Sequence, residues 1–180
     1  MLKIWGRRTS FNVQKVLWLV GEIELAHEHI RAGGGLGRLN EPTFRALNRW
    51  SRSRVTGGRC GGLGIAHHSA APGGMYGRGS FWLDDPAERS RVEGWRDWSQ
   101  TSLQPDFLMG VFWGYYRTPK AQGDWPAISR SLDRCAEHSR LLDSVLATRP
   151  FLTGDQLSLP EIPIGTSLYR YFELDKIAVR

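Results

Sequence analysis

Cysteine is scarce in this chain: Cys60 and Cys135 are the only two in 180 residues, with no Cys-x-x-Cys pair and no histidine at metal-ligand spacing from either. That argues against a disulfide framework and a structural zinc, and it fits two reduced thiols in a reducing compartment. Long apolar runs are missing as well. Nothing approaches the roughly 18 consecutive apolar residues of a membrane helix, and the opening Met-Leu-Lys-Ile-Trp-Gly-Arg-Arg has no signal-peptide core. A soluble, cytoplasmic chain with no membrane partner is expected. Acidic residues are absent between Arg49 and Gly74, where Arg49, Arg52, Arg54 and Arg59 stand. The net charge of +6 thus owes most to one segment, and no nucleic-acid-binding motif accompanies it. A basic nucleic-acid binder is the weakest of the function classes considered.

What is present reads as globular. Hydrophobic residues make up 41% and charged residues 23%, with eight Trp, far from a disordered composition. Leu2, Ile4 and Trp5 form a first strand stopped by Gly6. Ser10 precedes a helix whose Val13, Val16, Leu17 and Val20 recur at three- and four-residue spacing. A second strand is expected at 26–30, broken by the glycines at 33–37, and Pro42 opens a short helix through Phe44, Ala46 and Leu47. From Arg49 to Gly74 neither alternation nor helical period is visible, so composition predicts loop or disorder.

Order returns at Phe81. Asp84-Asp85-Pro86 reads as a capped helix start, with Val92, Trp95 and Trp98 facing a core until Pro105 interrupts. An aromatic segment runs from Phe107 to Tyr116. Pro126 opens a long helix with Ile128, Leu132, Cys135, Leu142 and Val145 or Leu146 inside, ending before Pro150. Ser158 and Glu161 have capping-box spacing, in which each side chain bonds the other's amide, ahead of a last helix through Ile164, Leu168 and Tyr171.

Two stretches carry a family resemblance. Ser10-Phe-Asn-Val-Gln-Lys-Val16 resembles the first helix start of serine-type glutathione S-transferases. The segment Phe151-Leu-Thr-Gly-Asp-Gln-Leu-Ser-Leu-Pro-Glu-Ile162 is similar to that family's helical-domain signature, with Pro160-Glu161 where Ala-Asp is usual. The resemblance covers about residues 1–48 and 76–173. It implies α/β plus all-α architecture: a thioredoxin-like glutathione-binding domain over 1–75, aberrant at 49–74, then an all-helical domain over 81–180.

The chemistry so implied is conjugation of glutathione thiolate to a small hydrophobic electrophile. Glutathione is then a co-substrate, with no permanently bound cofactor, no metal and a homodimer as the family's usual assembly. A thiol is mostly protonated at neutral pH, so the site must stabilise the anion. Ser10 is the candidate for that hydroxyl, with a plain helix cap as the competing role. Thr9 is the runner-up and Asn12 a candidate supporting donor. Phe112, Trp113 and Tyr116 are candidates for the co-substrate pocket, and core packing is the competing role for each. His27 and His29 share a strand face but lack a third ligand, and neither glycine cluster continues into a phosphate-binding or dinucleotide fingerprint.

The middle departs from the family. A Val-Pro element with a cis proline and a Glu/Gln-Ser helix start are expected after Leu47; Arg-Trp-Ser-Arg-Ser-Arg and Gly64-Ile-Ala-His-His-Ser69 stand there instead. Read one base out of frame, codons for these stretches can yield Pro-Leu-Val-Glu-Val-Pro and Glu-Ser-His-Thr-Ile-Leu, which restores both elements. A frameshifted middle and a truncated C-terminus are therefore expected, with the third and fourth strands lost or misformed and glutathione binding weakened. A non-catalytic interaction module of the same fold is the alternative function.

Overall fold

The computed structural model describes residues 1–47, 54–56 and 81–175. The chain divides into two compact units, Met1–Asp84 and Asp85–Arg180.

In the first unit, β1 (Leu2–Trp5) leads through a turn into α1 (Phe11–Glu22) and back to β2 (His27–Ile30), which pairs parallel with β1 in the register Leu2 to His27 through Trp5 to Ile30. The valine spacing of α1 does what its period dictates. Val13, Val16 and Val20 are buried against Leu2 and Ile4, with Leu17 and Leu25 partly buried on the same cluster. The helix ends in a Schellman-type reversal. Leu25 N–H donates to the Val20 carbonyl at 2.9 Å and Glu24 N–H to that of Gly21 at 3.1 Å, while Glu24 takes φ 49°. A turn of 3₁₀ helix (Gly34–Leu36) and α2 (Pro42–Leu47) come next, and buried Phe44 meets Trp5 at 5.6 Å between ring centroids.

The segment expected to be loop holds a strand. Arg54–Thr56 forms β3, antiparallel to β1 with Ile4 opposite Val55, giving the sheet order β2-β1-β3. The third strand, expected to be lost or misformed, is thus present over these three residues, while the place expected for the fourth lies outside the described residues. Three residues are too few for an alternation signal, and the pairing is supplied by β1's free edge rather than by local sequence. The stretches standing for the Val-Pro and Glu-Ser elements lie, apart from Arg54, outside the described residues.

The second unit is helical. Asp85 caps α3 (Pro86–Trp98), its Oδ1 accepting from the amides of Ala87 at 2.7 Å and Glu88 at 2.9 Å. Pro105, expected to break the helix, does not end the winding. The chain continues as wider π-helical turns over Ser99–Leu103 and Pro105–Phe112, then closes as α4 (Trp113–Tyr116). A proline lacks the N–H that an α-helical ladder needs, and the widened winding accommodates it. Here Ser99 Oγ donates to the Arg96 carbonyl at 2.7 Å and Thr101 Oγ1 to that of Asp97 at 2.8 Å.

α5 (Trp125–Leu146) is capped by Asp124 and buries Ile128, Leu132, Cys135 and Leu142. Of the two residues considered for its last inner turn, Val145 packs on the core while Leu146 is exposed. α6 (Glu161–Phe172) is the last helix, and Leu103, Leu142, Leu152 and Ile164 form a core flanked by Trp95 and Trp98. Asp106 ties the π-helical segment to α5. Its Oδ1 accepts from Arg134 Nε at 2.7 Å and its Oδ2 lies 3.0 Å from His138 Nε2. Among the described residues no helix is long and apolar enough to cross a membrane.

Candidate active site

The residues singled out for thiol chemistry stand where β1 gives way to α1. Ser10 holds the cap position with extended backbone (φ −73°, ψ 123°), so its own carbonyl opens the helix by accepting the Gln14 amide at 3.0 Å. Its side chain makes no capping hydrogen bond to α1. A half-buried hydroxyl is thus left beside first-turn amides that it does not cap, and α1 has no acidic residue in that turn. The positive end of a helix and a hydroxyl not spent on its cap are two groups that stabilise an anion. Thr9 is exposed on the preceding turn, and Asn12 is half-buried as the second helical residue.

Lys15, in the same helix start, is a buried cation that the sequence reading did not single out. It is buried on the same side of α1 as Phe11, its Nζ 4.3 Å from the centroid of the Phe11 ring. Burial lowers its ammonium from 10.5 to about 8. The available signal was its i, i+4 spacing from Phe11 on an otherwise apolar face.

His27 and His29 do not form a metal pair. His27 Nδ1 is 3.0 Å from the Leu25 carbonyl and His29 Nε2 is 2.9 Å from that of Gly6. A carbonyl only accepts, so each of these ring nitrogens carries the proton and is a donor. Among the described residues no group of three or more potential ligands could hold a metal ion.

In the second unit Phe112 and Tyr116 come together, stacked at 5.2 Å and 14°, whereas Trp113 stands apart from that stack and is 45% exposed. Two contributors were invisible in the sequence. The Arg170 guanidinium lies 5.9 Å from the centroid of Phe112, drawn below its usual value chiefly by burial. The Tyr116 hydroxyl donates to Asp175 Oδ1 at 2.5 Å and accepts the Asp175 amide at 3.0 Å. Both reach back from far along the chain, where no local spacing marks them.

No family model matches the chain. It is 32% identical over 180 residues to glutathione S-transferase GstB of Escherichia coli K12, covering 97% of this chain and 85% of that protein. This chain belongs to the glutathione S-transferase family. Among solved structures, the theta class glutathione S-transferase of Xanthomonas axonopodis pv. citri with glutathione bound superposes with a TM-score of 0.83 at 30% identity, over 99% of this chain and 86% of that one. Ure2p in complex with glutathione shares the fold, with a TM-score of 0.81 at 18% identity, over 96% and 84% of the two chains. The small sheet of this glutathione S-transferase is the thioredoxin-like part of the fold, and its second unit is the helical part.

Proposed function

We propose that this transferase uses the Ser10 hydroxyl to stabilise the thiolate of glutathione and joins that sulfur to a small hydrophobic electrophile. The observation that carries the reading is the Ser10 hydroxyl, placed at the N-terminus of α1 and not spent on capping it. The thiol proton leaves to solvent, the Ser10 O–H donates to the sulfur anion, and the positive end of α1 adds to the same field. The thiolate lone pair forms the carbon–sulfur bond, and the leaving group departs with the electron pair of the bond it breaks. A hydrogen bond to a charged sulfur contributes about 1.5–3 kcal/mol, which corresponds to roughly one to two units of thiol pKa.

Asn12 supports the sulfur site, the Phe112–Tyr116 stack offers an apolar wall for the electrophile, and Trp113, apart from that stack, offers a second one. We assign the enzyme to the cytoplasm as a homodimer. Glutathione is held weakly, because residues 49–69 carry neither a Val-Pro nor a Glu-Ser pair. That same lack favours the second reading, a non-catalytic module of this fold.

Conjugation of 1-chloro-2,4-dinitrobenzene, followed together with calorimetric glutathione titration, tests both. Ser10→Ala should lower kcat/KM by about tenfold or more with a much smaller change in glutathione affinity. Full activity in Ser10→Ala with loss in Thr9→Ala would move the role to Thr9. No turnover in the unaltered chain, with binding retained, would establish the module instead.

A further inference from the structure

The face that the Phe112–Tyr116 pair presents is not uniformly apolar. Phe112 ends the π-helical segment and Tyr116 ends α4, about one turn apart, and their rings stack at 5.2 Å and 14°. Each ring then meets a charge carried at the C-terminal end of α6 or just beyond it. Arg170, in the last turn of that helix, brings its guanidinium carbon 5.9 Å from the Phe112 centroid. Asp175 is held at the other ring, its Oδ1 accepting from the Tyr116 hydroxyl at 2.5 Å and its amide donating to the same oxygen at 3.0 Å. The wall is thus polarised along its length, with a cation at Phe112 and a carboxylate at Tyr116.

Arg170 is half-buried, and burial is the main cause drawing its guanidinium below the ordinary value; Tyr169 opposes that fall and the Arg117 charge adds to it. A second cation within electrostatic reach deepens the positive potential at this end of the wall. A cation in the last turn also suits the dipole of α6, but that role does not require an aromatic neighbour. A guanidinium already stripped of part of its water and resting near a ring loses little more on meeting an anion. Its planar fork matches the two oxygens of a carboxylate. Asp175 repels the same anion at the opposite end, so the two charges favour one orientation.

We propose that Arg170 determines specificity by selecting aromatic electrophiles that carry a carboxylate. The ring lies along the Phe112–Tyr116 wall, and the carboxylate sits on the Arg170 guanidinium, away from Asp175. This rests on the reading that the stack borders the electrophile. It adds what a purely apolar wall lacks: a means of choosing by charge among electrophiles of one shape, and of fixing which way round the ring is held.

Two ligands of one shape separate charge from apolar contact. 3,5-Dinitrobenzoate and 3,5-dinitrobenzamide lack a leaving group, so calorimetric titration of the full chain reads their binding whether or not the chain turns over. The benzoate should bind about tenfold more tightly than the amide. Arg170→Gln should erase that preference by weakening the benzoate about tenfold while the amide stays within about twofold, and Arg170→Lys should keep part of it. Circular dichroism checks that both variants stay folded. Equal affinity for the two ligands, binding of neither, or a preference that survives Arg170→Gln would overturn the proposal.

The 4-chloro derivatives of the same pair, from which chloride leaves as the carbon–sulfur bond to glutathione forms, tell the two readings apart. A benzoate preference in binding without turnover of either chloro compound sinks conjugation and upholds the specificity of the wall. Turnover of both at equal kcat/KM, with no preference in binding, sinks the specificity and leaves conjugation standing.

Discussion

The Glu161 carboxylate receives the Leu152 amide on Oε1 at 2.7 Å, so the first turn of α6 holds a loop nine residues upstream. Its Oε2 accepts the Ser158 amide at 3.0 Å and the Ser158 hydroxyl at 2.6 Å. Only half of the expected capping box is thus made. Glu161 reaches back, but the Ser158 hydroxyl donates to the carboxylate instead of receiving an amide. Three donors depend on one buried acid, and Glu161→Ala leaves all three without their acceptor. The expected cost is about 3 kcal/mol, read as a lower urea midpoint at unchanged slope. Ser158→Ala removes one donor to the carboxylate and takes from the half-buried Thr153 hydroxyl the acceptor it reaches at 2.8 Å, a smaller loss that should cost about 1 kcal/mol. Equal losses in the two variants would contradict the assignment.

Where local chemistry decides the backbone, this chain was legible. The period of Val13, Val16 and Val20, the Asp85-Pro86 start and the Glu161 spacing each mark a structural element. Where a distant partner decides, it was not. β3 exists because β1 has an open edge, and the π-helical turns around Pro105 reflect how a helix carrying a proline continues through a packed unit. The candidate site divides in the same way. Ser10 could be placed at a helix start from sequence, but whether its hydroxyl caps or stands free depends on side-chain rotation. The turns that follow β1 and β2 needed the parallel pairing of the two strands to bring them to one edge.

Cys135 should be chemically silent while the protein is folded. Burial pushes its thiol up to about 12, with the Asp106 carboxylate adding to the rise and Arg134 opposing it. The thiolate is the reactive form, so at about pH 8 almost none is available. Iodoacetamide at that pH should leave Cys135 unmodified in the native chain and label it fully in denaturant, as peptide mass spectrometry would show. Rapid native labelling of Cys135 would contradict this burial.

Lys15 predicts an unusual dependence of stability on pH. Between about 8, its folded value, and the ordinary 10.5, the unfolded chain holds a proton that the folded chain has released. Stability therefore rises with pH through that window, and below it the buried ammonium weighs against the fold. The penalty below that window is about 3 kcal/mol, partly offset by about 1 kcal/mol from the Phe11 ring. Lys15→Met should raise stability at about pH 7 by about 2 kcal/mol and remove this contribution to the alkaline rise. Urea unfolding of both proteins at about pH 7 and about pH 9.5 measures it, and a Met variant less stable at neutral pH would refute the sign.

Gly110 lets the π-helical segment lie tight against Ser131 of α5. A Cβ built there would lie 2.5 Å from Ser131 Cβ and overlap its Oγ, so an alanine can fit only if the two helices part. Alanine in place of glycine ordinarily favours a helix by about 1 kcal/mol, whereas overpacking costs about 1–3 kcal/mol. The clash involves the Cβ of a buried residue rather than a flexible end, so overpacking should dominate. Gly110→Ala is expected to destabilise by about 2 kcal/mol. Ser131→Gly removes both clashing atoms, so adding it to Gly110→Ala should cost much less than the two changes summed separately. A double-mutant cycle in urea measures that coupling, and additive effects would show that the helices do not meet at this pair.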